Sequence, residues 1–304
     1  MSQRLSASGL GRALHCPAAY ALPAVFGESE HASRGRSVHR FIEAVQRGTD
    51  VESVLADSAP EVRALCSKID LRRIPRGLPE LSMAYDVATG RARVMDATGR
   101  YYEVSETEIP GTCDLYVAPT DTTPARVIDW KTIVHDQPDE HLYRPQLEFY
   151  ALCLARVHRL SSVGCEVYTI GEDGAVSVAA QWTLDVWALA DVATVLRRVW
   201  GRVQAERLKP LHDVTTGAHC RHCNAWLSCP AQLASVGAVL GVELSSMTRE
   251  QAAEAYLRAR AAEKHVERIK TLTREMVAAN GPLEASGQRI YMTSNKSLRV
   301  VRSA

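Results

Sequence analysis

The chain lacks the features that would assign it to a membrane, a secretory route or a nucleotide-driven motor. No apolar run in its 304 residues is long enough to span a bilayer. Its first residues, Met-Ser-Gln-Arg-Leu-Ser-Ala-Ser, carry no apolar core of a signal peptide. No Gly-x4-Gly-Lys-Ser/Thr occurs, so any nucleotide-driven motor working with this protein would be a separate polypeptide. Net charge is nearly absent: 36 Lys and Arg stand against 35 Asp and Glu, a balance of +1. There is thus no global field for nucleic acid, and any such surface must be a local basic groove. Internal repeats and low-complexity segments are missing too. What remains, 46% hydrophobic and 23% charged residues, is ordinary for a globular protein with one large domain or a core plus an appendage. A cytoplasmic setting is expected, in which the eight cysteines stay reduced and available to metals.

Four of those cysteines form a pattern. Cys16 lies in Leu-His-Cys-Pro-Ala-Ala-Tyr; far downstream, Cys220, Cys223 and Cys229 make C-x2-C-x5-C. Four thiolates suit either a closed Zn²⁺ site or an iron–sulfur cluster, and the spacing leaves both open. Arg221 and His222 bracket the site with cationic groups, and Trp226 is placed to cover it. Closing such a site joins segments far apart in the chain, a structural role. Cys66, Cys113, Cys153 and Cys165 sit singly among apolar neighbours and read as small buried side chains.

The hydrophobic period changes along the chain. Helices are expected over 6–20, 30–47 and 60–69, and again over 141–159 and 185–206. Alternating segments at 81–87, 112–117, 126–131 and 163–168 read as strands. The order implies an α/β sandwich around a mixed sheet. Past the cysteines, Thr248 and Gln251 make a capping box for a helix that carries Val266, Ile269, Leu272 and Met276 and ends at Asn280-Gly281. Residues 283–301 read as a hairpin. This divides the chain into a domain over 1–235 and an appendage over 236–304.

The chemistry centres on Gly111-Thr-Cys-Asp114 and Ile128-Asp129-Trp130-Lys131. Strand alternation sends Asp129 and Lys131 to one side, and Ile128 and Trp130 to the other. Asp114, on the preceding strand, reaches the same edge. Two carboxylates and the Trp130 carbonyl offer hard oxygen ligands for Mg²⁺ or Mn²⁺, and a nearby ammonium offsets charge on a phosphate. Taken alone, Asp-x-Lys is far more often a solvated strand face than a catalytic pair.

In combination these residues resemble the PD-(D/E)XK nuclease superfamily, in the RecB-like branch that includes CRISPR adaptation exonucleases and phage-encoded relatives. Gly111-Thr-Cys-Asp114 is similar to its G-x-x-D motif, Asp129-Trp-Lys131 to D/E-x-K, and Gln146-Leu-Glu-Phe-Tyr150 to Q-x-x-x-Y. His39 resembles the branch's metal-binding histidine, and Glu80 its acid ahead of the first core strand, with Glu28, Glu30 and Glu43 as rival acids. The resemblance covers roughly residues 5–230. It implies a restriction-endonuclease-like core with an iron–sulfur lobe, in which Cys16, Cys220, Cys223 and Cys229 hold [4Fe–4S] in preference to Zn²⁺. Asp114, Asp129, Lys131 and Glu80 would then be catalytic; His39, Asp114, Asp129 and the Trp130 carbonyl would bind metal; Gln146 and Tyr150 would contact substrate. The implied activity is metal-dependent hydrolysis of DNA, single-stranded or with free ends, by an exonuclease or single-strand nuclease. The alternative is a non-catalytic DNA-binding or assembly subunit that keeps the fold. Candidate phosphate contacts are Arg34, Arg36 and Arg40, then Arg197, Arg198 and Arg202, and in the tail Arg289, Lys296, Arg299 and Arg302. His15, His135 and His141 carry no motif and read as surface or packing residues.

Overall fold

Segments rich in Val, Ile, Leu and aromatic residues at strand spacing pair into a six-stranded sheet in the computed structural model. The structure describes residues 3–24, 30–95, 103–132, 140–217, 219–220, 223–225, 228–234, 248, 273–285, 288–293 and 297–302. The strands are β1 (Leu78–Asp86), β2 (Ala92–Val94), β3 (Glu108–Val117), β4 (Ala125–Thr132), β5 (Val163–Ile170) and β6 (Val176–Leu184), in the order β2-β1-β3-β4-β5-β6. Only β4 and β5 run parallel, joined by a helical crossover; the other neighbours are antiparallel. The sheet is therefore mixed.

Helices cover both faces. On one side α1 (Leu10–His15), α5 (Glu140–His158) and α6 (Val186–Arg207) bury Leu147, Phe149, Leu152 and Val199 with Met83, Cys113, Val127 and Val167 of the sheet. On the other, α2 (Glu30–Arg47) and α4 (Pro60–Cys66) set Val38, Phe41, Ile42, Val62 and Leu65 against Leu115, Ile128, Trp130 and Ile170. Burial of these apolar faces is the main source of stability, at about 25 cal/mol per Å² removed from water. The chain forms two compact units, Met1–Cys229 and Pro230–Ala304.

Some elements differ from the sequence reading. The helix expected over 6–20 is broken into Ala7–Gly9 and Pro17–Tyr20, both 3-10, around α1. Pro17 disfavours helical backbone at Cys16, which takes φ −138° and ψ 88°. A short helix, α3 (Val51–Ala56), starts at Asp50, whose carboxylate accepts from the N–H groups of Glu52 and Ser53. Strands β2 and β6 were not expected, and β3 begins four residues before the predicted 112. In the second unit, the expected hairpin is a three-stranded antiparallel sheet, β7 (Leu283–Ala285), β8 (Gln288–Met292) and β9 (Leu298–Arg302). Helix 273–280 precedes it and ends at Gly281, whose φ of 79° suits a helix C-terminus. The Thr248–Gln251 capping box and the stripe through Val266, Ile269 and Leu272 fall outside the described residues, as do Arg221, His222, Trp226, His135, Lys296 and Glu28, and the side chain of His141.

The N-terminal segment is fastened to the far end of the first unit. Arg207 donates from Nη2 to the Gln3 carbonyl at 2.6 Å and from Nε to the Tyr20 carbonyl at 3.4 Å. Arg202 Nη1 donates to the Leu14 carbonyl, and Ser228 Oγ to that of Pro23. The rings of His15 and His219 stack with centroids 5.4 Å apart.

Candidate active site

The β3–β4 ladder ends at Leu115 and Ile128, one step short of Asp114 and Asp129. There Asp114 takes over from the sheet: its Oδ2 accepts from the Trp130 backbone N–H at 2.9 Å. Ile128 and Trp130 are buried against α2 and α4. Asp129 and Lys131 project from the opposite face of β4, where alternation puts them. Lys131 Nζ lies 2.6 Å from the buried Asp129 Oδ2. From α5, Gln146 Nε2 donates to Asp129 Oδ1 at 3.2 Å and contacts the Tyr150 hydroxyl at 3.1 Å.

Helix α2 supplies His39. Val38, Phe41 and Ile42 anchor the helix on the sheet, and His39, between them in sequence, reaches the strand edge. Its Nε2 is 3.0 Å from the Trp130 carbonyl oxygen and its Nδ1 is 3.4 Å from Asp114 Oδ1. Strand β1 supplies Glu80. Its neighbours pair with β3, Pro79 opposite Leu115 and Leu81 opposite Cys113, so Glu80 sits across from Asp114. It interrupts the pairing there with a φ of 51°. A non-glycine residue in this left-handed region carries about 1–2 kcal/mol of strain, and such outliers concentrate at functional sites. Ligand atoms of His39, Glu80 and Asp114 all lie within 4.8 Å of one another. An imidazole with two carboxylates is a donor set for a divalent cation.

Gly111 explains the first position of its motif. A Cβ there would come 2.4 Å from the Ala7 Cβ and 2.8 Å from Tyr150 Cε1. Only glycine lets the N-terminal turn and α5 close onto β3 beside Asp114.

Electrostatics follow from burial and neighbours. Burial alone would raise the Asp114 carboxyl, but His39, Lys131 and the Trp130 N–H together hold it at about 2. Burial pushes the Asp129 carboxyl up, and the Lys131 ammonium, though the largest opposing influence, does not cancel it with the Asp114 charge alongside. His39 would be lowered by its burial, yet Asp114 and Asp129 shift it above its ordinary value. Tyr150, only 2% exposed, has its phenol driven well above 10 by burial.

His39, Glu80, Asp114 and the Trp130 carbonyl converge, and Asp129 with Lys131 lies alongside. Glu80 enters the potential ligand set, while both oxygens of Asp129 face protein cations or donors. Gln146 and Tyr150, expected to contact substrate, meet protein groups here: the Gln146 amide reaches Asp129 and the hydroxyl of the buried Tyr150. Of the acids weighed against Glu80, Glu43 pairs with Arg47 at 2.9 Å. Arg36 and Arg40 are exposed on α2, and Arg34 is half-buried. The buried hydroxyl pair Ser82–Thr112, at 2.9 Å between β1 and β3, had no sequence signal.

Cys16 and Cys220 both lie near Cys223, so cysteines from the two ends of the first unit meet. Cys16 and Cys229 are buried, and Cys220 and Cys223 half-buried. Burial raises the Cys223 thiol, Arg12 opposes this, and nearby Cys16 and Cys220 add to it. The other four, Cys66, Cys113, Cys153 and Cys165, are buried singly, as expected.

A sequence model of the PD-(D/E)XK nuclease superfamily matches residues 4–230. The chain belongs to this superfamily. Its nuclease fold implies a DNA substrate, and PD-(D/E)XK nucleases use divalent metals, for which the His39–Glu80–Asp114 group offers a site. Among solved structures, SSO0001 is 18% identical, with 68% of this chain and 90% of that one covered and a TM-score of 0.32. A Eubacterium rectale protein named "Putative exonuclease" is 12% identical, covering 72% and 87%, with a TM-score of 0.42. No curated protein matches the chain. Among the described residues, no helix is long and apolar enough to cross a membrane.

Proposed function

We propose that this protein is a Mg²⁺- or Mn²⁺-dependent deoxyribonuclease of the RecB-like branch that hydrolyses phosphodiester bonds at free ends or in single strands. The observation that carries the reading is the convergence of His39, Glu80 and Asp114 within 4.8 Å, beside the Asp129–Lys131 pair at 2.6 Å. His39, Glu80, Asp114 and Asp129, with the Trp130 carbonyl, would hold the ion. When bound, it would polarise the scissile phosphate and lower the pKa of a water. The residues of the chain do the rest. Lys131 positions the attacking water and offsets negative charge that grows on the phosphate. Gln146 fixes the Asp129 carboxylate, Tyr150 fixes Gln146, and the Trp130 N–H fixes Asp114, so the acids need no rearrangement as the reaction proceeds.

Cys16, Cys220, Cys223 and Cys229 are proposed to hold a structural [4Fe–4S] cluster in a lobe of the nuclease domain. Four thiols without a disulfide fit an iron–sulfur centre, and Arg12 places a cation next to Cys223. The domain would span 1–235, with 236–304 an appendage and any helicase or recombination partner a separate chain.

End-labelled single- and double-stranded DNA incubated with Mg²⁺ or Mn²⁺ tests the activity. Wild type should shorten the label and Lys131→Ala should not; equal cleavage by both overturns the site. Anaerobically purified protein should contain iron and acid-labile sulfide and absorb near about 400 nm. A colourless, zinc-replete sample overturns the cluster.

A further inference from the structure

A polar cavity lies among residues that take no part in the candidate metal site. It has a volume of about 400 Å³ and is lined by Arg4, Leu5, Glu106, Thr107, Glu108, Trp200, Gln204 and Arg207. Glu108, at the start of β3, is six residues from Asp114, a separation of about 20 Å at the strand rise of ~3.3 Å per residue. The Glu108 wall of the cavity therefore stands well clear of the phosphate reacting beside Asp114.

Its charge is unusual. Arg207 makes three hydrogen bonds, all to neutral acceptors: the carbonyls of Gln3 and Tyr20 and the side-chain oxygen of Gln204. No carboxylate meets it among the described residues. Arg4 stands next to it, also without a carboxylate partner among the described residues, and after burial its charge is what lowers the Arg207 guanidinium. The acids in the wall do not balance the pair. Glu108 is already committed to Arg93, at 2.7 and 3.1 Å, and to the Ser105 N–H at 2.8 Å. Glu106 is exposed at the rim. Two neighbouring guanidiniums that no carboxylate pairs among the described residues offer an anion site, and planar guanidinium donors match phosphate. The half-buried Trp200 adds an aromatic surface on which a flat ring can stack. The Gln204 amide, the Thr107 hydroxyl and the Glu106 carboxylate offer hydrogen bonds to a sugar or base. A volume of this size lies within the range of small-molecule pockets.

We propose that this cavity binds a nucleotide, with its phosphate between Arg4 and Arg207 and its base on Trp200. The inference goes beyond the hydrolytic site and stands without it. Two sources share this chemistry: a free nucleoside monophosphate, or a nucleotide within the strand that the enzyme holds.

Calorimetric titration of the full chain in EDTA tests this, with deoxyadenosine 5′-monophosphate, inorganic phosphate, deoxyadenosine and a short single-stranded oligonucleotide as probes. The monophosphate should bind saturably, and phosphate or nucleoside alone at least tenfold more weakly. Arg4→Ala and Trp200→Ala should each weaken the monophosphate tenfold or more. Arg4→Lys, which keeps the charge on an exposed side chain, should recover part of the loss. Lys131→Ala should bind as wild type does, which separates this site from the hydrolytic one. An oligonucleotide that competes with the monophosphate identifies a strand-borne nucleotide; one that does not identifies the free form. Absence of saturable binding, or equal binding by wild type, Arg4→Ala and Trp200→Ala, overturns the proposal.

Discussion

The Trp130 backbone N–H is bound by the Asp114 carboxylate at 2.9 Å, where the β3–β4 ladder stops. A strand edge is thereby turned into a site: one carboxylate oxygen holds the backbone of the D-x-K strand while the other faces His39 at 3.4 Å.

The His39–Asp114 pair should make stability of the metal-free protein depend on pH. Asp114 is depressed from 3.8 to about 2, so its contribution is present above 3.8 and is lost as pH falls towards 2. His39 is raised above 6.5, so its contribution is complete below 6.5 and is lost as pH rises through its folded value. Urea melts in EDTA should show greatest support from the pair between these limits. Asp114→Asn should flatten the acid limb, removing up to about 2 kcal/mol. Parallel curves for wild type and variant contradict the pairing.

Glu80 separates strain from chemistry. Glycine adopts its φ of 51° without a steric penalty. Glu80→Gly should therefore keep or raise the melting temperature, whereas Glu80→Ala, with a β-carbon and no carboxylate, should be less stable than the glycine variant by about 1 kcal/mol. Both should lose divalent-metal binding, measured by calorimetry.

Gly111→Ala introduces a carbon 2.4 Å from Ala7 and 2.8 Å from Tyr150. Overpacking of this kind costs about 1–3 kcal/mol. Chemical denaturation should report that loss, and cleavage should fall with it, because the displaced Tyr150 supports Gln146.

Gln146 and Tyr150 should differ by degree. Gln146→Ala frees Asp129 and should lower kcat at least about tenfold, with KM for DNA little changed, the pattern of lost positioning. Tyr150→Phe removes only the hydroxyl and should have a smaller effect. A rise in KM alone would instead mark direct substrate contact.

Much of this was legible in the sequence for physical reasons. α2, α5 and α6 declare themselves by apolar periodicity, and Ile128 and Trp130 against Asp129 and Lys131 by strand alternation. β6 was hidden because its pairing with β5 shifts at Val167/Tyr168 and most of the strand is exposed, so no clean alternation survives. The motif residues could be found one by one, but not the backbone of Glu80: the sequence starts the strand at Leu81, whereas β1 runs from Leu78 and Glu80 lies within it at φ 51°. The Arg4–Arg207 neighbourhood was invisible, since it exists only when residues some two hundred positions apart are folded together.

That fastening of residues 3–23 by Arg202, Arg207, His219 and Ser228 has a temporal consequence. The ribosome delivers the N-terminal turn first and its anchors last. At about 5–20 residues per second, Leu5, Leu10 and Tyr20 wait roughly ten to forty seconds for their final neighbours. The nascent nuclease unit cannot seal until nearly all of it has emerged, so an assembled active site implies a finished first unit.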